Sequence, residues 1–436
     1  MWRYVIELKK GGAFNRICAR IKAEGKNLRI LNFTNVPFTH DQLRSGGIGV
    51  NTSGGWMAAL LGRMLDETDI ELGCVAAGGV DKLQALHADR IDTFTIPSRL
   101  SGTDSGLRMC RDVVMAWKPD LIHIHGTENR YGLLTARGLV NCPAVISIQG
   151  LLGPCSEWYR YFGNRSLTDI FSMHRWLEIP VLRGQWLEFL KIRKMAVLER
   201  ECIAGNRFFM GRTAWDRAYI QSQNPSAAYY HGGELLREPF WLRRWEIGKA
   251  KRHRIIFTNA GHPRKGAQVV LDAVRLLQAD YPDIEVAIAG GISRRSGYGR
   301  YIRSRLGDFG PAAIELGSLT AGQMADELVA SHVFISPSFI ENSSNACCEA
   351  QLLGMTVISS YTGGMPSLIE DGRTGLFFPT GDAPMLAAKL RKVFEDDALA
   401  VQLGAGAHAE ASVRHDPGLV VREILAVYQD VLRKVA

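Results

Sequence analysis

The sequence predicts an α/β protein made of two halves, each a parallel sheet covered by helices. Three observations predict it. The chain has 436 residues, more than one ordinary core accommodates and suited to two domains of roughly 150–200 residues. Short apolar strands alternate with helices of about 10–15 residues, the rhythm of βαβ units with right-handed crossovers. A basic stretch, residues 242–254, joins a regular second half to a looser first half.

In the second half, residues 254–261 read as a short apolar strand. Residues 267–280 read as a helix with Val269, Val270, Ala273, Val274 and Leu277 on one side. Further strands are expected over 285–290, 314–317, 332–336 and 356–360, and helices over 320–330, 343–353 and 383–394. Residues 291–310 are rich in Gly, Arg and Ser and receive no element.

The first half gives a strand over 29–33, then a polar, Gly-rich loop ending at Gly54 and Gly55. A helix over 56–65, a strand over 71–76, a helix over 107–117 and a strand over 121–125 follow. After them come a helix over 131–139, a strand over 144–149, and two strands, 207–210 and 227–230, flanking a helix over 215–223. Two segments break the alternation. Residues 158–202 are long, helical and rich in Trp, Leu, Arg and Lys, and residues 1–26 read as an edge strand followed by a basic helix.

Composition narrows the class. Hydrophobic residues make up 46% and charged residues 22%, which excludes a mainly disordered chain. No window approaches 18 uninterrupted apolar residues, so no transmembrane helix is expected. The start lacks a long apolar run, so no secretory signal is expected and the protein reads as cytoplasmic. The eight Cys form no CxxC pair and read as reduced thiols. Cys347 and Cys348 adjoin Glu349, which makes sensitivity to alkylation an expectation. The 52 Lys and Arg exceed the 44 Asp and Glu by 8, an excess that favours anionic partners without choosing among phosphates, nucleic acid and a lipid surface.

In open parallel sheets, ligands bind beyond the carboxyl ends of the strands. After the strand at 254–261 comes His262-Pro263-Arg264-Lys265-Gly266, with two adjacent cations suited to a diphosphate. After the strand at 332–336 comes a loop containing Glu341 and Asn342, which runs into a helix at Ser343, Ser344 and Asn345. A hydroxyl cap there leaves the first-turn amides as an anion site. Glu349 lies about one and a half turns inside that helix; an acid beside a phosphate site suits sugar hydroxyls better than phosphate. Gly54 and Gly55 let a diphosphate approach the start of the opposite helix, and no P-loop lysine follows. His123 and His125 share a face of their strand. His125, at the carboxyl end, is the better site candidate, and His123 the better core residue. No metal site is expected: there is no Asp-x-Asp after an apolar strand and no His-Glu-x-x-His. A Gly-x-Ser-x-Gly elbow is also missing.

Taken in order, these pieces resemble glycosyltransferase family 4, the retaining enzymes of GT-B fold. The resemblance is most specific over residues 257–382. It rests on Pro263-Arg264-Lys265-Gly266, the turn at Gly317, Ser336-Pro337-Ser338, and the E-x7-E pair Glu341 and Glu349. Gly363-Gly364-Met365-Pro366 and Glu370-Asp371-Gly372-x-x-Gly375 complete it. It implies two Rossmann-like parallel-sheet domains facing across a cleft: an acceptor-side unit over 1–245 with a helical insertion at 151–202, and a donor unit over 246–410. A final helix within 411–436 would pack back on the first unit. It also implies a nucleotide-diphosphate sugar as substrate, with no cofactor and no metal. Lys265 and Arg264 would neutralise the diphosphate, helped by amides at Gly55 and at 343–346. Glu349 would receive the ribose hydroxyls, Glu341 would face the sugar, and main chain at Ser318 and Leu319 would meet the base. Front-face substitution, with the departing phosphate oxygen taking the acceptor proton, would retain configuration.

The sequence departs from that pattern in places. The family's common Arg six residues before the Lys is Asn259, its Pro-Phe-Gly after the first Glu is Asn342-Ser343-Ser344, and a Glu after Gly-Gly-x-Pro is Ser367. A His frequent on the acceptor side is Gln149. A glycan or lipid-linked acceptor in surface polysaccharide or lipopolysaccharide assembly is what the family implies. Asn259 and Gln149 leave open a GT-B protein that binds a nucleotide sugar or glycan without transferring it. No nucleic-acid partner is expected, because no aromatic platform or known module accompanies Arg294, Arg295, Arg300, Arg303 and Arg305. Residues 175–200 carry Trp176, Trp186, Leu187, Phe189 and Leu190 among Arg183, Lys191, Arg193 and Lys194. They read either as an amphipathic helix on an anionic membrane surface or as a packing helix with a solvated basic face.

Overall fold

A computed structural model describes residues 27–44, 55–165 and 179–435. The N-terminal reading of 1–26, Gly54 and Trp176 lie outside the described residues.

Among the described residues the first sheet has eight strands: β1 (Arg29–Phe33), β2 (Glu71–Gly78), β3 (Gln84–Ala88), β4 (Ile91–Pro97), β5 (Leu121–His125), β6 (Ala144–Ser147), β7 (Phe208–Gly211) and β8 (Ala228–His231). Their spatial order is β3-β4-β2-β1-β5-β6-β7-β8, parallel except for β3 against β4. In β1, Ile30 pairs with Leu72 on one side and Leu121 on the other. These three side chains enter one core, with the helices Gly55–Glu67 and Pro417–Val435. Their neighbours Leu31 and Ile122 enter a second core, with the helix Asp104–Trp117. Alternation along the central strands β1, β2 and β5 thus buries both faces, which a parallel sheet with helical crossovers requires.

The second sheet has six strands: β9 (Lys251–Thr258), β10 (Glu285–Ala289), β11 (Ala313–Gly317), β12 (Ser331–Ser336), β13 (Val357–Ser360) and β14 (Leu376–Phe378). All are parallel, in the order β11-β10-β9-β12-β13-β14. Ile256 of the central β9 pairs with Ala287 and Phe334 inside a core closed by the helices Ala267–Leu277 and Ala383–Glu395.

Several elements differ from the sequence reading for identifiable reasons. The hairpin of β3 and β4 carries no strong apolar period because β3 is an exposed edge; it turns at Asp89, with φ of 55°. Residues 291–310 contain a helix, Gly297–Gly307. Ser296 caps it, and Tyr298, Ile302 and Leu306 lie on its buried side at helical spacing. Leu235 belongs to a first-unit core and Leu236 to the second-unit core. The chain returns after the helix Asp397–Arg414, whose Ala411 still packs in the second unit. The crossings therefore fall at 235–236 and 415–416, where Pro417 opens a new helix, and not at 245 and 410.

The segment that interrupts the first half is less of an insertion than its composition indicates. The helix Ile179–Gly205 ends with Cys202 and Ile203 in a first-unit core. Earlier in the same helix, Phe189 packs with Tyr161 and Phe162. Phe189 is 4% exposed, so it does not belong to an outward apolar face; Trp186, Leu187 and Leu190 do. Tyr161 also meets the ring of His262 at 4.9 Å, which braces the two units against each other.

Candidate functional site

The carboxyl ends of β6, β7, β9 and β12 converge on a cavity of about 250 Å³ between the two sheets. From the second unit, β9 ends at Thr258 and the chain turns through Asn259, held at φ of 60°. The turn Pro263–Lys265 follows, with the His262 ring accepting from Arg264 N. Gly266 stands at φ of 74°, where an added Cβ would lie 2.0 Å from the Pro337 carbonyl oxygen. Glycine is required there because the turn abuts the loop after β12. That loop is tied back by Phe339 N donating to the Arg264 carbonyl at 2.7 Å.

Lys265 and Glu341, far apart in sequence, meet in the cavity: Lys265 Nζ lies 2.6 Å from Glu341 Oε2. Ser338 Oγ also approaches that oxygen, at 3.4 Å. Burial pushes the Glu341 carboxyl up, but the Lys265 ammonium and the Arg264 guanidinium outweigh it and hold the group below the usual carboxylate range. Ser343, Ser344 and Asn345 line the same cavity at the start of the helix Asn345–Leu353. Ser344 Oγ caps that helix by accepting from Cys347 N at 3.3 Å. A cation, hydroxyls and a helix N-terminus thus face one void, a combination suited to an oxygen-rich anion.

The first unit supplies the facing wall through Gln149, after β6, and Arg212, after β7. Arg212 Nη2 donates to Gln149 Oε1 at 3.3 Å. Arg212 is missing from the residues singled out in the sequence. The signal for it was the strand-end rule applied to β7, whose next residue it is. Asn342 joins the units: Thr213 Oγ1 donates to Asn342 Oδ1 at 2.8 Å, and Asn342 Nδ2 donates to the buried Asp216 at 3.0 Å.

Other candidates lie elsewhere. Glu349 does not line the cavity; both Nε and Nη2 of Arg237 donate to its Oε1, at 2.9 and 2.7 Å. The Arg264 side chain, Ser318 and Leu319 are not among the lining residues either, and Leu319 packs against the second-unit core. Gly55 is buried at the start of its helix. His125 lines a second, much smaller void with Trp56, Gln149 and Arg212. Its Nε2 meets Asn32 Oδ1 at 3.1 Å, and burial pulls its pKa down to about 3, so it is a neutral ring at pH 7. His123 is a satisfied core residue, bonded to Tyr428 and Ser147 at 2.7 and 2.6 Å. Cys347 and Cys348 are buried and their thiols pushed up by burial, which disfavours the thiolate and corrects the expected alkylation. No group of three or more His, Cys, Asp or Glu placed to share a metal ion occurs among the described residues.

Residues 252–396 match the family model described as glycosyl transferases group 1. The phosphatidyl-myo-inositol mannosyltransferase of Mycolicibacterium smegmatis is 32% identical over 173 residues, 39% of this chain and 42% of that protein. A D-inositol 3-phosphate glycosyltransferase of Nocardioides is 31% identical over 173 residues, 36% of this chain and 37% of the relative. The chain thus spans about two-fifths of the length of these relatives. Among solved structures, a sucrose-phosphate synthase from Thermosynechococcus elongatus superposes with a TM-score of 0.69 at 14% identity, covering 94% of this chain and all of that one. Anabaena HepE, solved with UDP and glucose, gives 0.62 at 15% identity, covering 93% of this chain and all of its own. These likenesses establish the fold, two Rossmann-like sheets in the GT-B arrangement.

Proposed function

We propose, from the match of residues 252–396 to the group 1 glycosyl transferase model, that the chain moves a sugar from a nucleotide-diphosphate sugar to a glycan or lipid-linked acceptor with retention of configuration. One observation carries the reading: Lys265, the hydroxyls of Ser338, Ser343 and Ser344, and a helix N-terminus share one cavity at the strand ends of both sheets. In the proposed step the bond from the anomeric carbon to the donor phosphate breaks as the acceptor oxygen attacks the same face. The acceptor proton passes to the departing phosphate oxygen. Lys265 and the first-turn amides stabilise the charge that develops there, with no metal or cofactor assigned to the step. Glu341 orients the sugar, and Gln149 faces the acceptor side.

A thermal-shift panel of UDP, GDP, ADP and their sugars tests donor binding, since a ligand of the folded state raises its melting temperature. Anomeric assignment of the product by NMR tests retention. Stabilisation by a nucleotide sugar with transfer to a polysaccharide or lipopolysaccharide acceptor is the expected result. No stabilisation by any of them overturns the reading. Stabilisation with neither transfer nor hydrolysis over an acceptor panel marks a binding protein.

For the acceptor, we propose a lipid-linked glycan reached from an anionic membrane surface on the cytoplasmic side. The helix Ile179–Gly205 supports this, because exposed Trp186, Leu187 and Leu190 adjoin exposed Lys191, Arg193 and Lys194. No described helix is long and apolar enough to cross a membrane. Co-sedimentation with anionic vesicles at low salt is expected, and should be lost on replacing Trp186 and Leu187 with Ser. Failure of the unaltered protein to bind such vesicles refutes the contact.

A further inference from the structure

Among the described residues, two cationic side chains line the large cavity, and they come from opposite units: Lys265 and Arg212. We propose that Arg212 grips the diphosphate of the donor from the first unit, opposite Lys265, so that the leaving group is clamped across the interface; this rests on the reading of a nucleotide-diphosphate donor. The second unit is short of charge for the task. Its Lys265 ammonium is shared with Glu341, Arg264 is not among the lining residues, and Asn259 faces the void without a charge. A diphosphate carries two or more negative charges, and a guanidinium fork matches its oxygens bidentately where an ammonium acts as a point charge.

The surroundings of Arg212 fix its direction. Its side chain is 10% exposed, an unfavourable place for a cation without compensation. Glu234 pairs with Nη1, and Gln149 accepts from Nη2. Glu234 is also held by Asn345 Nδ2 at 2.9 Å, from the helix whose N-terminus lines the cavity. The Arg212 main chain is anchored too, its N donating to Asp216 Oδ2 at 3.2 Å. An ion pair serving only to hold the first unit together needs Arg212 and Glu234 in contact. It does not need the guanidinium to open onto the same void as Lys265 and the helix start.

Calorimetric titration separates these roles, using whichever of UDP, GDP and ADP binds the unaltered protein and its matching monophosphate. Arg212→Gln is expected to weaken the diphosphate about tenfold or more and the monophosphate less than about twofold. The charge-balanced Arg212→Gln/Glu234→Gln variant removes both buried charges and should show the same selective loss with cooperative unfolding. Arg212→Lys, which keeps a charge beside Glu234, should lose less. Equal losses for diphosphate and monophosphate, or no loss in either, overturn the role of Arg212. If Lys265→Ala weakens the diphosphate and Arg212→Gln does not, this inference falls and the donor reading stands. If the unaltered protein binds no nucleoside diphosphate, both fall.

Discussion

Lys265 and Glu341 are 76 positions apart and 2.6 Å apart in space. Each follows a central strand of the second sheet, β9 for Lys265 and β12 for Glu341, and those strands are hydrogen-bonded neighbours. Strand adjacency is therefore what places an ammonium beside a carboxylate at the mouth of the cavity. Removing either group should damage transfer in a different way. Lys265→Ala removes stabilisation of the leaving phosphate, and about 10²–10³ in kcat is expected to go with it. Glu341→Ala frees the ammonium but loses the partner proposed for the sugar, so transfer should fall while the nucleoside diphosphate still binds. Steady-state rates and diphosphate affinity measured side by side check the pair. Full activity in both folded variants removes these residues from the mechanism.

The same contact fixes a pH dependence. Burial favours the neutral Glu341 carboxyl, and Lys265 followed by Arg264 overcomes it, leaving the folded-state pKa depressed. A carboxylate depressed in the folded state contributes stability that is present above its unfolded pKa and is lost as pH falls through the folded one. The melting temperature of the unaltered protein should therefore exceed that of Glu341→Gln near neutrality, with the gap closing in acid. In Lys265→Ala the main counter-charge is gone and burial remains, so the acid limb of any residual activity should move to higher pH. Melting curves and rate profiles across the carboxylate range measure both; a gap that widens in acid contradicts the ordering.

Glu349 should behave in the opposite sense. Burial raises its carboxyl pKa, and Arg237 offsets this only in part. Both contacts from Arg237 fall on one oxygen. Arg237→Ala leaves a nearly buried carboxylate without its counter-charge. About 2 kcal/mol of stability is expected to go, less than the roughly 3–5 kcal/mol of a fully buried pair because the guanidinium is part exposed. A carboxyl raised in the folded state disfavours folding progressively as pH rises from the unfolded pKa through the folded one. Urea unfolding should thus show the smaller loss in acid and the full loss near neutrality. An equal loss at both would assign the effect to lost side-chain packing.

Where each residue proved legible follows from the kind of signal it left. Alternation of apolar runs marked most strands of both sheets, because buried parallel strands must be apolar on both faces, but it missed β4 and the three-residue β14. The exposed β3 left no such mark. Lys265 and Glu341 could be read because each closes a local motif after a strand. Arg212 has no motif; its chemistry depends on Glu234, Gln149 and Asn345, all distant in sequence. Glu349 was legible as an acid inside the helix after β12, but its partner Arg237 lies in the crossing segment between the units, 112 positions earlier. Composition left Phe189 open between an outward apolar stripe and a packing face, and only the packing of Tyr161 and Phe162 places it inside.

Asn342 gives the sharpest test of whether the units act together. It stands where the resembled family has the Pro of Pro-Phe-Gly, and its amide spans the interface. Its oxygen accepts from Thr213 Oγ1 at 2.8 Å, and its nitrogen donates to Asp216 Oδ2 at 3.0 Å. Thr213 and Asp216 also form the capping box of the helix Ala214–Gln223, so the loop that carries Glu341 is tied to a rigid helix start in the other unit. Asn342→Ala strips two buried partners at once. Coupling between Asn342→Ala and Thr213→Val in a double-mutant cycle should be about 1 kcal/mol, one buried hydrogen bond. Transfer should fall more than diphosphate binding does, because Lys265 still meets the diphosphate while Gln149, whose carbonyl oxygen Asn342 Nδ2 approaches at 3.5 Å, is no longer held opposite it. Additive effects on stability together with unchanged turnover would show that the contact joins the units without aligning the site.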